Sequence, residues 1–280
     1  MSTPPTDTVQ TPLPALLPLP RGVGHAQFNE AMRICPYVFL RSTVFGVTGK
    51  GKRKYFDDAL LASTDEFTVR FIGLQLDQTD LDVWLELVHL LKYQPVGSTV
   101  NTSHVQLLTV LGKADSGQNR QALKQQLTRL HTTAVKVFTA SGSYVGSLID
   151  AAESGKALEI RLDPRIVELF AGKRFTRMQH AVRSGLTPMG KWLYGYFSTH
   201  IQPPPICVDE IQRLCGSNAT NLDAFRYSLR STLKQLKRAC DANDERFNWR
   251  IDRAGVLHAD WIGSKKHVRW SQKVSTTSSA

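Results

Sequence analysis

Paired cysteines, clustered histidines and long apolar runs are all missing from this sequence, and each absence argues against a class of protein. The four cysteines show no Cys-x-x-Cys pairing, so neither a disulfide framework nor a zinc site built on paired thiolates is indicated. The eight histidines lie far apart, without HxxxH or HxH spacing. We therefore expect no bound metal and no other cofactor.

Signals for membrane insertion and secretion are missing as well. No stretch approaches the roughly 18 apolar residues that a membrane-spanning helix needs. The segment Pro12–Pro20 is too rich in proline for the helical core of a signal peptide. These features predict a cytoplasmic protein that does not contact a membrane.

The two ends of the chain contain few residues that could pack. Residues 1–24 are rich in Pro and Thr and hold no aromatic residue, and the chain ends in VSTTSSA. Such segments bury too little apolar surface to offset the entropy lost on ordering. We predict a flexible N-terminal tail over residues 1–35 and a disordered C-terminal tail over residues 271–280.

Positive charge, by contrast, is abundant and unevenly distributed. The chain has 35 Lys and Arg against 24 Asp and Glu, which gives a net charge of +11 and a pI near 9.6. From Ala171 to Trp270, 17 basic residues stand against 8 acidic ones. This balance favours a polyanionic partner such as a nucleic acid, and a merely soluble basic domain is the alternative.

A glycine- and lysine-rich stretch lies between two β-rich runs near the start. The run YVFLRSTVFGV from Tyr37, the turn TGKGK and the run RKYF predict a hairpin. Residues 46–53 also fit the GxxxxGK pattern of a phosphate-binding loop, but Arg53 stands where magnesium needs Ser or Thr. We therefore prefer a hairpin tip that contacts DNA phosphates. Its candidate cations are Lys50, Lys52, Arg53 and Lys54.

The same order of predicted helices and strands occurs twice along the rest of the chain. In the first copy, an amphipathic helix near Asp77 is followed by a short β-prone run, Val100–Thr102, and by a short helix that Gly112 closes. A longer helix from about Gln118 comes next, followed by the β-prone run AVKVF, a glycine-containing turn ASGSYVGS and later the run ALEIRL. The side chains on the short helix that are expected to face the core are those of Val105, Leu108 and Leu111.

The second copy repeats this order. A helix containing WLYGYF leads to a short strand at Ile206–Val208. Asp209 is expected to cap a short helix that Gly216 closes, and a longer helix spans Leu222–Ala239. The segments FNWRI and VLHADWI then form a hairpin.

Helix, short strand, short helix, longer helix and hairpin is the order of a winged helix, a helix-turn-helix with a β-hairpin wing. Two copies in matching order are harder to obtain by chance than one. The predicted fold class is therefore α+β, with two tandem winged-helix domains. We predict the first domain over residues 36–165 and the second over residues 166–270.

The second longer helix is the strongest candidate for reading DNA. Its buried stripe, within about 80 degrees on a helical wheel, consists of Phe225, Leu229, Leu233 and Leu236. Basic residues fill the arc beside and opposite that stripe, where arginine can bond guanine edges and lysine can neutralise phosphate. They are Arg226, Arg230, Lys234, Lys237 and Arg238. Candidates just before the helix, which could reach bases or phosphates, are Asn218, Thr220 and Asn221.

The first longer helix is less basic, and its polar face has side chains that can pair with adenine or contact phosphate. Its candidate DNA-binding residues are Arg120, Gln121, Lys124, Gln125 and Thr128. The hairpins supply wing candidates, which are Arg250 and Arg253 in the second copy and Lys156 and Arg161 in the first. Ordinary solvated surface residues remain the alternative for all of these. Lys265, Lys266 and Arg269 extend the basic surface beyond the last strand.

An enzymatic function has little support in these residues. A nicking replication protein would need closely spaced histidines for a metal and a tyrosine nucleophile beside them, and no such histidine pair exists. Asp77, Asp80 and Asp82 stand at a helix start, where the helix dipole explains acidic residues without catalysis. We expect no catalytic activity.

Several strings resemble the TrfA family of plasmid replication initiators. These are VELFAG at Val167–Gly172, the helix LTPMGKWLYGYFSTH and the turn RLCGSN, and the resemblance covers roughly Pro36–Trp261. It implies binding to repeated origin sites called iterons and melting of adjacent DNA. It also implies recruitment of the host replicative helicase and its loader or initiator, and self-association to a dimer for copy control. The family's clamp-binding motif, similar to QLxLF, has no good match in the tail, where Leu17 and Leu19 alone have the right spacing.

Two hypotheses therefore stand. The first is a sequence-specific double-stranded DNA-binding initiator of plasmid replication. The alternative is a tandem winged-helix transcriptional repressor, because the fold by itself does not distinguish the two.

Overall fold

The computed structural model describes residues 30–48, 53–91, 98–140, 142–154 and 157–262. Its helices are α1 (Tyr37–Leu40), α2 (Gln78–Leu91), α3 (His104–Val110), α4 (Gly117–Thr132), α5 (His180–Ser184), α6 (Pro188–Ser198), α7 (Val208–Cys215) and α8 (Leu222–Asp241). A 3-10 helix covers Pro164–Lys173.

The first eight strands are β1 (Met32–Pro36), β2 (Phe45–Gly46), β3 (Tyr55–Leu61), β4 (Thr68–Leu74), β5 (Leu76–Asp77), β6 (Thr99–Ser103), β7 (Ala134–Thr139) and β8 (Gly142–Ser147). The remaining strands are β9 (Asp150–Ser154), β10 (Ala157–Arg161), β11 (Phe175–Gln179), β12 (Ile206–Cys207), β13 (Arg246–Ile251) and β14 (Val256–Ile262). Helices and strands alternate along the chain, so the protein is a mixed α/β fold.

Each half of the chain contains a three-stranded antiparallel sheet built in the same order. In the first half β10 pairs with both β6 and β9, and in the second half β14 pairs with both β12 and β13. The strand that leads into the short helix, β6 or β12, therefore lies beside the last strand of a hairpin. The order of elements predicted twice from the sequence is present twice.

One segment breaks the correspondence between the halves. After α4, the strands β7 and β8 come before the hairpin β9–β10 and join β3 and β4 in a four-stranded sheet. The second half has no equivalent, because α8 leads directly into β13. The β-prone segments that follow α4 in the sequence thus divide between two sheets.

The hairpin predicted from Tyr37 to Phe56 is wrong. The run from Tyr37 begins with α1, β2 pairs in parallel with β5, and β3 pairs with β4. A short apolar run suits a buried helix as well as a strand, because it is too short for its periodicity to tell them apart. Val38, Phe39 and Leu40 are all buried, and α1 packs against α6 and β1.

The predicted N-terminal tail also extends too far. Met32–Pro36 is the strand β1, which pairs with β11 from Met32 opposite Gln179 to Pro36 opposite Phe175. Ile34 and Cys35 on this strand are buried. The free energy gained from burying these apolar side chains offsets the conformational entropy lost when the strand becomes ordered. Residues 1–29 and the predicted C-terminal tail at 271–280 lie outside the described residues.

The helix boundaries are close to those predicted, with two corrections. In α3 the buried apolar positions are Leu107 and Leu108, whereas Val105 is exposed and Leu111, just after the helix, is half-buried. In α7 the residue at the N-cap is Cys207, which makes no side-chain capping bond, and Asp209 lies in the first turn. There its charge favours the helix through the dipole instead of through a cap.

The buried apolar side chains of the two halves form one cluster. Its largest members include Trp84 and Phe39 from the first half and Trp192 and Phe247 from the second. None of the helices in the described ranges is long and apolar enough to cross a membrane. In the same part of the chain, no three His, Cys, Asp or Glu side chains gather where they could hold a metal ion.

A buried ion pair fastens β1 to α2. Glu86 on α2 accepts hydrogen bonds from Nε and Nη2 of Arg33, each at 2.8 Å, and lies 3.3 Å from Nδ1 of His180. Burial by itself would raise the pKa of Glu86, but the hydrogen bonds from His180 and Arg33 outweigh it and hold this pKa below the ordinary value. The carboxylate therefore stays charged inside the protein.

A second ion-pair group joins α2 to the second half of the chain. Asp82 accepts a hydrogen bond from Nε of Arg183 at 2.9 Å and pairs with Nζ of Lys191. Arg183 also donates to the side chain of Gln78 at 2.9 Å and is almost completely buried. Since the buried guanidinium has partners on α2 and α6, it holds those helices together.

Candidate nucleic-acid interface

The second half presents α8 next to a short helix and a hairpin. Gly216 ends α7 in the left-handed conformation, with a φ of 65°, which a glycine adopts at little cost. Asn221 then caps α8, because its Oδ1 accepts the backbone N–H groups of Asp223 and Ala224. The predicted buried stripe of α8 is confirmed, so the opposite face of this helix is turned to solvent.

The structure divides the predicted cations of α8 into two groups. Arg230, Lys234 and Arg238 are exposed on the solvent face. Lys237 instead points towards β13, where its Nζ donates to the backbone oxygen of Phe247 at 3.3 Å and to Asn248 at 3.1 Å. Lys237 therefore helps to fix the hairpin to the helix, and three cations remain on the open face.

Arg226 lies between the helix and the tip of the hairpin. Its Nη1 donates to Asp223 at 3.1 Å, and its guanidinium packs over Gly255 in the turn between β13 and β14. In the same turn, Oδ1 of Asp252 accepts a hydrogen bond from the backbone N–H of Val256 at 2.9 Å, and Oδ2 lies 2.9 Å from Nε2 of His258. The hydrogen bond from His258 lowers the pKa of Asp252.

The hairpin tip adds two exposed cations to this surface. Arg250 near the end of β13 and Arg253 in the turn are both exposed. Asn218 and Thr220, in the segment before α8, are exposed as well, whereas the side-chain oxygen of Asn221 is used by the cap. We call the exposed set Arg230, Lys234, Arg238, Arg250 and Arg253 the basic face.

Replacing Gly255 by alanine should destabilise the hairpin tip. Gly255 has a φ of 80°, and a Cβ there would lie 3.2 Å from Nη2 of Arg226. We expect the free energy of unfolding, measured in urea, to fall by about 1–2 kcal/mol. Gly117→Ala is the matched control, because a Cβ at Gly117 meets nothing within 4 Å and should be neutral or slightly stabilising. Equal effects of the two substitutions would contradict the strained turn.

The corresponding surface of the first half is less basic. Ser116 caps α4 by accepting the N–H of Asn119, and Leu123, Leu127 and Leu130 on this helix are buried. The exposed residues of α4 include all five predicted DNA-binding candidates, Arg120, Gln121, Lys124, Gln125 and Thr128. Arg120 is paired with Asp115, with two N–O distances of 2.5 and 2.6 Å, which reduces its net charge contribution.

Arg53 lies in a group of ion pairs at the start of α2. Its guanidinium lies 2.5 Å from Asp77 and 3.2 Å from Asp80 and donates to the backbone oxygen of Gln75. Arg129 on α4 pairs with Asp80 as well, at 2.7 Å. Burial raises the pKa of Asp80, against the hydrogen bond from Arg129. Arg53 thus belongs to a partly buried ion-pair group that the local sequence did not reveal, and its contact with DNA phosphates stays a prediction.

The other predicted cations have varied positions. Lys54 is exposed beside Arg53. Arg161, at the end of β10, pairs with Asp150 on the neighbouring strand at 2.8 Å. Lys50, Lys52, Lys156, Lys265, Lys266 and Arg269 lie outside the described residues.

Sequence reasoning missed Tyr227. This side chain is 80% exposed and stands among the cations of the free face of α8. The helical wheel already placed it about 165 degrees from the middle of the buried stripe. An aromatic residue on the otherwise polar face of a helix was the signal in the sequence that could have identified it.

Comparison with known proteins gives the following findings. A family model described as TrfA protein matches residues 23–250. Over 223 residues the chain is 22% identical to the plasmid replication initiator protein TrfA of Escherichia coli, covering 76% of this chain and 58% of that protein. The chain thus spans less than two thirds of the length of this relative.

Solved structures of RctB domains 2 and 3 share the fold. In one, the TM-score is 0.51 at 12% identity, with 80% of this chain and 97% of that chain covered. In the other structure, of a selenomethionine derivative, the TM-score is 0.52 at 13% identity, with 78% of this chain and 94% of that chain covered. The likeness supports one arrangement of elements across both halves of the chain.

Proposed function

Since this chain belongs to the TrfA family, we propose that it is a sequence-specific double-stranded DNA-binding initiator of plasmid replication. It binds repeated sites at the plasmid origin and promotes melting of the adjacent DNA. The name of the curated relative gives the initiator role for that protein. For this chain, the support is the family membership together with the arrangement of exposed charge described above.

In this proposal two winged-helix domains make the contacts, one over residues 36–165 and one over residues 166–270. The matching sheet order β6-β10-β9 and β12-β14-β13, each with a short and a longer helix, supports this. The longer helices α4 and α8 act as recognition helices in the major groove, and the hairpins β9–β10 and β13–β14 act as wings.

The observation that carries the proposal is the basic face of α8 and its hairpin. An apolar stripe fixes one side of the helix to the core, and Arg230, Lys234 and Arg238 occupy the other side. A helix of this kind fits the major groove, where arginine bonds base edges and lysine neutralises phosphates. Arg250 and Arg253 extend the same charge to the wing, which suits the backbone beside the groove.

The two units have different roles in the proposed complex. On α4 the exposed candidates include Gln121 and Gln125, which can pair with adenine but do not neutralise phosphate. Arg53 and Arg129 of the first half are committed to Asp77 and Asp80. The second unit therefore anchors the protein on DNA, and the first contributes sequence reading or partner contacts on an extended, non-palindromic site.

The proposal assigns no catalytic step to the chain and places it in the cytoplasm. DNA melting draws on binding energy and on recruited partners, which are the host replicative helicase and its loader. Self-association to a dimer would limit copy number. Contact with the sliding clamp is left out, because the residues of the tail that could provide it do not match the motif.

A plasmid replication assay tests the proposal. A plasmid that carries this gene and its neighbouring DNA repeats as its sole origin should be maintained in a host, because the chain supplies the initiation step. The control is the same plasmid with the repeats scrambled, which should be lost. Measured binding of the purified chain to one repeat, and a footprint over it, complete the test.

The repressor alternative gives a different result in the same experiment. A repressor would bind the repeats and reduce transcription from a reporter promoter that contains them, yet the plasmid would not be maintained. That outcome would overturn the initiator role and keep the winged-helix DNA binder. Failure to bind the repeats at all would overturn both.

A further inference from the structure

Tyr227 is exposed although its ring is large and apolar. It stands 80% accessible on α8, and no hydrogen bond or ring contact joins it to another of the described residues. Its neighbours along the chain, Arg226 and Ser228, do not cover it. The fold therefore gains nothing from an aromatic residue at this place, and tyrosine, which has an apolar ring and a polar tip, is enriched at interfaces.

The position of Tyr227 along α8 is as informative as its exposure. It is the sixth residue of the helix, in the second turn. In helix-turn-helix proteins, the residues near the start of the recognition helix contact the base edges. Arg238 points in nearly the same direction but lies about 16 Å further along the helix axis, where the helix leaves the groove. In the proposed complex, Tyr227 thus lies over the floor of the groove.

The cations around Tyr227 define what its ring can reach. Arg230 is one turn further on, and Lys234 is two turns further on, both on the solvent face. On the helical wheel Arg230 lies about 60 degrees to one side of Tyr227, towards the hairpin. Lys234 lies about 20 degrees to the same side. In the proposed complex, charged side chains on that flank meet phosphates and guanine edges, and Tyr227 beside them faces the base-pair edges.

We propose that Tyr227 is a specificity-determining residue that reads thymine, through contact of its ring with the thymine 5-methyl group in the major groove. The methyl group is the apolar feature that the major groove offers, and apolar side chains recognise it. This inference rests on the proposed DNA-binding function and adds to it the base that α8 selects.

The test begins with selection of duplexes from a random-sequence pool by the full chain. The selected sequence should contain a thymine at which Tyr227→Ala loses preference, while preference at the other positions remains. Affinity for the selected duplex should fall about tenfold. Tyr227→Phe keeps the ring and should select the same sequence. Ser231→Ala, an exposed position one turn along, is the matched control and should leave the selected sequence unchanged.

Deoxyuridine identifies the contact, because it differs from thymidine only by the missing 5-methyl group. At the selected thymine it should weaken binding of the unaltered chain severalfold and leave binding of Tyr227→Ala unchanged. Loss of preference at a different base, an unchanged selected sequence in Tyr227→Ala, or equal deoxyuridine effects on both proteins would overturn the inference alone. If the unaltered chain selects no sequence, the proposed DNA binding fails and the inference fails with it.

Discussion

Reversing two charges of the basic face, Arg230→Glu with Lys234→Glu, should remove specific DNA binding. Each residue is exposed on α8, and the loss of one arginine contact to a base costs about 1–3 kcal/mol. Carboxylates in their place would also repel the phosphates. We expect the Kd for the selected duplex to rise more than about a hundredfold, as measured by fluorescence anisotropy at fixed salt concentration.

The control must separate a local contact from a change in net charge. Arg165→Glu with Arg246→Glu makes the same change in net charge at exposed positions away from the basic face, since Arg165 lies in the 3-10 helix beside β8 and Arg246 begins β13 at the end far from its turn. This control should keep its sequence preference and lose only modest affinity. If both double variants lose binding equally, the protein's overall charge and not α8 provides the affinity.

Replacing Arg33 by alanine should cost about 3–5 kcal/mol of the free energy of unfolding, because it leaves Glu86 as a buried carboxylate without its main partner. Urea denaturation at neutral pH measures this. The matched variant is Arg33→Met with Glu86→Leu, which removes both charges and keeps apolar volume. It should recover most of the lost stability. A similar loss in the double variant would mean that packing of β1, and not the ion pair, carries the effect.

The same pair gives a dependence on pH with a definite sign. Folding lowers the pKa of Glu86 below its ordinary value of 4.5, since hydrogen bonds from His180 and Arg33 overcome burial. The stabilisation is therefore present above the ordinary carboxyl pKa and is lost as pH falls through the lowered value. The difference in stability between the unaltered chain and Arg33→Ala should be constant near neutral pH and shrink in acid.

The ion pairs on α2 also bear on how the two units work together. Asp82 binds Arg183 and Lys191 of the second half, and Glu86 binds Arg33 and lies near His180. Helix α2 belongs to the first unit. In the proposed complex, these contacts would present α4 and α8 to DNA with a fixed spacing, which suits an extended site made of two unequal parts.

The sequence by itself determined the elements whose pattern is long or marked by particular residues. The stripe Phe225, Leu229, Leu233 and Leu236 fixed the buried side of α8. Glycines at the ends of α3 and α7 were recognised because only glycine adopts a positive φ at little cost. The difference in positive charge between the two longer helices could be predicted as well, because the periodicity of each helix assigns its Lys and Arg residues to the exposed face.

The tertiary structure alone decided the parts that depend on distant partners. The run from Tyr37 became a helix, and Met32–Pro36 became a strand, because β11 and α6 lie beside them. Arg53 was drawn inward by Asp77 and Asp80. The sequence around a short apolar run or a single arginine does not indicate which distant residues will bury it. A long amphipathic helix, by contrast, shows in its own sequence which side faces the core.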